Sequence, residues 1–116
     1  MYEWTWDKIF EHYQKNVQIG EDNRPSMVKS ARAMLEILTQ VQVFTEKHVS
    51  LSPYLSHSGL CITNKDNDNT VLVYFDPETQ KYQTSHYQET ENLISKITYL
   101  TNDEIVPFIK LHLKIS

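Results

Sequence analysis

In Thr70-Val71-Leu72-Val73-Tyr74-Phe75, β-branched, aliphatic and aromatic side chains run without a break between two strong turn signals, a combination found nowhere else in the chain. Such side chains fit a pleated, half-buried surface, so the run predicts a central strand. Upstream, Lys65-Asp66-Asn67-Asp68-Asn69 is wholly polar and turn-forming. Downstream, Asp76-Pro77-Glu78-Thr79 sets Asp and Pro at the first two positions of a type I turn. A strand bracketed in this way has a hairpin neighbour on each side. Leu60-Cys61-Ile62-Thr63 supplies the first, and the alternating Lys81-Tyr82-Gln83-Thr84-Ser85-His86-Tyr87 supplies the second.

With a loop over 77–80, Phe75 pairs with Tyr82, Val73 with Thr84 and Val71 with His86, and this face is the candidate core. Leu72, Tyr74, Gln83, Ser85 and Tyr87 alternate to the opposite face. Their semi-polar, aromatic composition suits a surface covered in part by a loop, a partner or a second protomer. A one-residue slip would exchange the two faces, so the outer one depends on this register.

Helical spacing dominates the N-terminal part. Trp6, Ile9, Phe10, Tyr13 and Val17 form an amphipathic stripe that Thr5 can cap and Gly20 can end, with Trp4 off the stripe and expected to be exposed. Pro25 suits the first turn of a second, longer helix, with the cap at Asn23 or Arg24. Its broad stripe of Met27, Val28, Ala31, Met34, Leu35, Leu38 and Val41, widened by Ile37 and Phe44, predicts burial on more than one side. Arg32 and Glu36 are spaced to pair on its surface, and the helix should end near Lys47. Residues 48–58, with four serines and Pro53, read as irregular or as a short edge strand.

After the hairpin, Leu93, Ile94, Ile97 and Leu100 return to helical spacing, which predicts a helix within 88–100. Thr101-Asn102-Asp103-Glu104 matches a capping box and predicts a new helix start. The last segment fits two periods: Ile109, Leu111, Leu113 and Ile115 alternate as in a strand, whereas Ile105, Phe108, Ile109 and His112 follow a helix. The local capping signal favours helix. The expected fold is therefore a single α+β domain over 1–116, with two N-terminal helices, a three- or four-stranded antiparallel meander and C-terminal helical structure. A chain of 116 residues can bury roughly 65 to 70% of its unfolded surface, enough for one core.

Charge narrows the function classes. The net charge is −4, and residues 65–91 carry all of it: Asp66, Asp68, Asp76, Glu78, Glu89 and Glu91 stand against Lys65 and Lys81. An acidic segment repels phosphate backbones, which disfavours nucleic acid as a partner unless Arg24, Lys29, Arg32 and Lys47 share one face. No stretch approaches the roughly 18 apolar residues of a membrane helix, and the N-terminus lacks a signal-like apolar run. Cys61 is the single cysteine, so no internal disulfide forms. A reducing, cytoplasmic setting is expected, though a secreted protein freed of its signal is equally compatible.

Motifs for chemistry are scarce. His57, Cys61 and His86, with His48 nearby, could be drawn as a zinc site or a Cys-His pair, but structural zinc wants four ligands and catalytic zinc three. Cys61 in a strand reads as a small buried hydrophobe. Asp66-Asn67-Asp68-Asn69 superficially suggests a calcium loop, yet the required Gly is missing and the twelfth position is Pro77 rather than Glu. Two glycines in the whole chain leave no phosphate-cradling loop, and neither HExxH nor GxSxG occurs. No cofactor or metal is expected.

In a meander the loop 65–69 and the chain exit at 88–91 leave the sheet at the same end, which brings Asp66, Asp68, Glu89 and Glu91 to one rim. The bland account is a solvated edge. The sharper one is a docking surface for a basic protein, with Tyr74, Tyr82 and Tyr87 as anchors and the charges steering association. The sequence thus favours a non-catalytic binding module of the inhibitor, immunity or antitoxin kind over two alternatives: a small enzyme built on His57, Cys61 and His86, and a homodimeric structural or regulatory module using the Leu72, Tyr74 and Tyr87 face.

Overall fold

The computed structural model describes residues 4–21, 23–56, 59–88, 93–94 and 97–115, with 87–88 and 93–94 described through their backbone. Among the described residues, three helices and an antiparallel sheet make two layers, which is the α+β class expected. Helix α1 spans Trp6–Gly20. Thr5 caps it in extended conformation, its hydroxyl accepting from Lys8 N at 3.3 Å, so the expected cap is the one used. Helix α2 spans Pro25–Glu46, with Pro25 in its first turn and Lys47 at its C-cap. Arg24 occupies the N-cap without a side-chain bond, which proline at the first position tolerates because one orphan N–H is absent.

The sheet runs in chain order. Strands β1 (Leu51–Ser56), β2 (Gly59–Asn64), β3 (Asn69–Asp76) and β4 (Lys81–Gln88) form a meander, each antiparallel to the next. Pairs Phe75–Tyr82, Val73–Thr84 and Val71–His86 stand in the expected register. The turn sets it. Asp76 Oδ1 accepts from Glu78 N at 3.0 Å, its Oδ2 accepts from the Thr79 hydroxyl at 3.2 Å, and Gln80 takes a left-handed φ of 59° to return the chain to Lys81. Within the unsettled 48–58 segment, Leu51–Ser56 form edge strand β1. Pro53 within it has no N–H to offer a further strand, which blunts that edge.

Of the 88–100 helix expected, 89–92 and 95–96 lie outside the described residues, and the rest departs from expectation. Instead of a helix, Leu93–Ile94 and Thr98–Leu100 form short strands β5 and β6, both paired with β4. The reason is non-local: β4 has a free edge whose N–H and C=O groups need partners, and Ile-Thr-Tyr-Leu is a better strand than helix sequence. Thr84 reinforces the pairing, its hydroxyl donating to Thr98 O at 2.8 Å. After β6 the Thr101 capping box forms as the sequence predicts, with Glu104 Oε1 accepting from Thr101 N at 3.0 Å. A 3-10 turn (Asn102–Glu104) leads into helix α3 (Ile105–His112), so the helical period prevails over the alternating one.

All three helices pack on one face of the sheet. Ile9 and Tyr13 of α1, Ala31, Met34, Ile37, Leu38 and Val41 of α2, and Ile105, Ile109 and the following Leu113 meet Leu51, Leu60, Ile62, Val71, Val73, Phe75 and Tyr82 in one core. Each fully buried aliphatic contributes about 1.5 to 3 kcal/mol. Trp4 also packs against this core, half-buried rather than exposed. Arg32 forms its ion pair with Glu21, at 3.7 Å, rather than with Glu36. The gap between α1 and α2 brings a carboxylate within reach that periodicity along one helix does not reveal.

Candidate functional site

The turn between β2 and β3 is built from its own side chains. Asn64 Oδ1 accepts from Asp66 N and Asn67 Oδ1 accepts from Asn69 N, both at 3.0 Å, and Asp68 adopts a left-handed φ of 60°. The amide ends of the same asparagines reach across the fold. Asn64 Nδ2 and Asn67 Nδ2 donate to Leu113 O at 2.9 and 3.2 Å, satisfying a carbonyl just past the end of α3. The polar run 64–69 therefore clamps the C-terminal helix, and among the described residues no group of three or more His, Cys, Asp or Glu is placed to hold a metal ion. Asp66 and Asp68 remain exposed on the outside of the turn.

Gln88 pairs with Asn69, so β4 leaves the sheet beside this turn. Glu89 and Glu91 fall outside the described residues, as does His57. Tyr74 is half-buried on β3, and Tyr87 lies on β4 opposite Thr70 and Ile94. Tyr82 requires correction as an anchor. It is 3% exposed, its hydroxyl donates to Ala33 O at 2.6 Å, and its ring meets Phe75 edge-on at 5.1 Å. Burial, with Glu36 nearby, pushes its hydroxyl up to about 12. The residue is a bolt between sheet and α2, which its place on the core face already implied.

The histidine and cysteine candidates separate. Cys61 is 2% exposed and opposite Leu72 on β2, and burial pushes its thiol up to about 11, against a hydrogen bond from Tyr54 that lowers it. A reactive thiol needs the opposite shift. His86 stands on the helix-facing side of β4, beside Val71. Its Nε2 lies 2.8 Å from Asn69 Oδ1, within hydrogen-bonding distance. Its ring lies 4.9 Å from that of His112, which in turn packs on Phe108 at 4.3 Å.

These imidazoles predict a pH response. Burial lowers His86, and the charges of His112 and Lys114 lower it further; burial lowers His112 and His12 as well, all from an ordinary 6.5. Below about pH 6.5 the unfolded chain therefore binds more protons than the folded one, so stability falls as pH drops through the folded values and levels off beneath them. The melting temperature should decline from pH 7.5 to pH 5, and the double variant His86→Gln, His112→Gln should flatten that decline. A constant or rising melting temperature in wild type would refute the assignment.

Two concavities accompany these features. A groove of about 1030 Å³ runs between α2 and the β3–β4 turn, with Val28, Ala33, Phe75 and Tyr82 as floor and Glu21, Lys29, Arg32 and Glu36 among its walls. Its charges balance. A smaller cleft of about 320 Å³, lined by His12, Met27, Ser30 and Pro77 among others, opens between α1 and α2. Sequence reasoning missed both, since neither follows from spacing on a single element.

By its layers the chain belongs to the two-layer α+β proteins, with helices on one face of an antiparallel meander and an acidic turn at one end of the sheet. Comparison with protein families, curated proteins and solved structures finds no match to it. No helix among the described residues is long and apolar enough to cross a membrane.

Proposed function

We infer that the protein is a non-catalytic binding module of the inhibitor, immunity or antitoxin kind, whose partner is a basic protein engaged at the acidic end of the sheet. One observation carries this reading: Asp66 and Asp68 are exposed on the 65–68 turn, and the β3–β4 register returns the chain beside that turn just before Glu89 and Glu91 in sequence. Like charges gathered on one rim raise the encounter rate with a cationic partner and discriminate against anionic ones. The buried, poorly ionised Cys61 and its separation from His86 count against the enzyme alternative.

The test is affinity capture from the native source with wild type and with Asp66→Ala, Asp68→Ala, Glu89→Ala, Glu91→Ala combined, at low and moderate salt. A basic protein retained by wild type, lost by the variant and weakened by salt is the expected outcome. Equal retention by both proteins would remove the carboxylates from the site, and retention of nothing specific would return them to plain solvated surface.

A further inference from the structure

The cleft between α1 and α2 differs in kind from the larger groove. Glu21, Lys29, Arg32 and Glu36 wall the groove, whereas no Asp, Glu, Lys or Arg among the described residues lines the cleft. Its imidazole, that of His12, is lowered by burial from an ordinary 6.5, so the lining is neutral near pH 7. At about 320 Å³ the cleft reaches the lower end of the range for small-molecule sites, about 300 to 1,000 Å³. A guest of about ten heavy atoms takes up most of that space, since each water displaced occupies about 30 Å³.

Rings and one amide shape the interior. His12 and Tyr13 meet edge-on, with centroids 5.2 Å apart and planes at 80°, so they form a corner in which a flat guest lies against one ring and meets the edge of the other. Tyr74 of β3 and Met27 of α2 extend the apolar part, the thioether being a soft and adaptable contact for a ring. Asn16 supplies the polar part. Its Nδ2 lies 3.3 Å from His12 Nε2, and no other group among the described residues takes up the amide, which leaves an N–H and the carbonyl oxygen side by side for a guest. Side-chain amides in this state read a planar edge that presents a donor next to an acceptor.

We propose that this cleft binds a small, uncharged, planar heteroaromatic molecule whose edge pairs a hydrogen-bond donor with an acceptor, as a nucleobase or an aromatic carboxamide does. Each part of the lining selects one property of the guest. A charged molecule would give up its hydration to walls that hold no counter-charge. The ring corner favours a flat guest over an aliphatic one, and Asn16 favours a polar edge over plain hydrocarbon. Pro77, just past the end of β3, belongs to the cleft, which therefore lies at the opposite end of that strand from the 65–68 turn. The inference is thus independent of the acidic-end reading.

NMR titration of the isotope-labelled chain near neutral pH tests it with adenine and nicotinamide as probes, and with nicotinate and cyclohexanecarboxamide as the charged and the aliphatic control. At least one probe should shift the Asn16 side-chain amide and the Met27 methyl saturably, with a dissociation constant on the order of 1 mM or below, and the tighter of the two identifies the edge that fits. Both controls should bind at least about tenfold more weakly. Asn16→Ala should lose about tenfold in affinity, and Ser26→Phe, which fills the cleft from an exposed position at the start of α2, should abolish the shifts, each variant being checked for folding by circular dichroism. Absence of a saturable shift with either probe would overturn the proposal, as would controls that bind like the probes or an Asn16→Ala protein that binds like wild type. Should Asn16→Ala fail to fold, Ser26→Phe decides alone, because binding retained in it would place the probe outside the cleft.

Discussion

Tyr82→Ala is expected to cost about 3 to 5 kcal/mol of folding stability, the range for removing a large buried ring. The ring is 3% exposed and packs edge-on against Phe75, so its loss leaves a cavity beneath α2, and the Ala33 carbonyl loses the hydroxyl that bonds it. For a chain of this length the melting temperature should fall on the order of 10 to 20 °C. Tyr82→Phe isolates the hydroxyl and should cost about 1 kcal/mol, because ring packing survives and only one hydrogen bond is exchanged for water. Urea unfolding of the two variants against wild type measures both numbers. A Tyr82→Ala protein as stable as wild type would mean that the sheet and α2 are not joined here. Tyr99→Ala, by contrast, removes a ring already 46% exposed and should cost little.

Asn64→Ala is the second large effect, expected at about 2 to 3 kcal/mol. One side chain does two jobs: its oxygen fixes the β2–β3 turn through Asp66 N, and its nitrogen holds Leu113 O at the end of α3. Asn64 is 5% exposed, so water cannot replace both bonds without opening the site. Asn67→Ala removes the weaker, 3.2 Å donor to the same carbonyl and should cost about half as much. Amide exchange read residue by residue separates the consequences. In Asn64→Ala, protection should fall in α3 and the turn before it falls in α1. Uniform loss of protection would argue that the clamp is only part of a global change.

These two residues mark where local pattern stops being informative. The helices were legible because a stripe of period 3.6, a capping Thr5 and a first-turn Pro25 are properties of neighbouring residues. The register of β3 and β4 was legible because the Asp76–Gln80 turn fixes loop length, and a period of two then assigns every later side chain to a face. By contrast, the helical spacing of Leu93, Ile94, Ile97 and Leu100 misled, because the segment answers to the unpaired edge of β4 rather than to its own amphipathicity. The charge excess of 65–91 was legible as composition, and the meander sets the exposed Asp66 and Asp68 beside the end of β4. The number of tyrosines was less informative, since it cannot separate Tyr82, which bonds Ala33 O, from Tyr74 on the opposite side of the sheet.

Sequence alone determined the class of fold, the helix starts, the central strand with its hairpin partners and the concentration of negative charge in 65–91, because each rests on spacing within a few residues. Tertiary structure decided the rest: that Asn64 would meet a carbonyl 49 residues away, that Arg32 would choose Glu21, that residues 93–94 and 98–100 would extend the sheet, and that the described helices would all pack on one sheet face. Those outcomes depend on which groups are brought together when the layers close, and a buried polar group or a free strand edge then takes whatever partner lies within hydrogen-bonding reach.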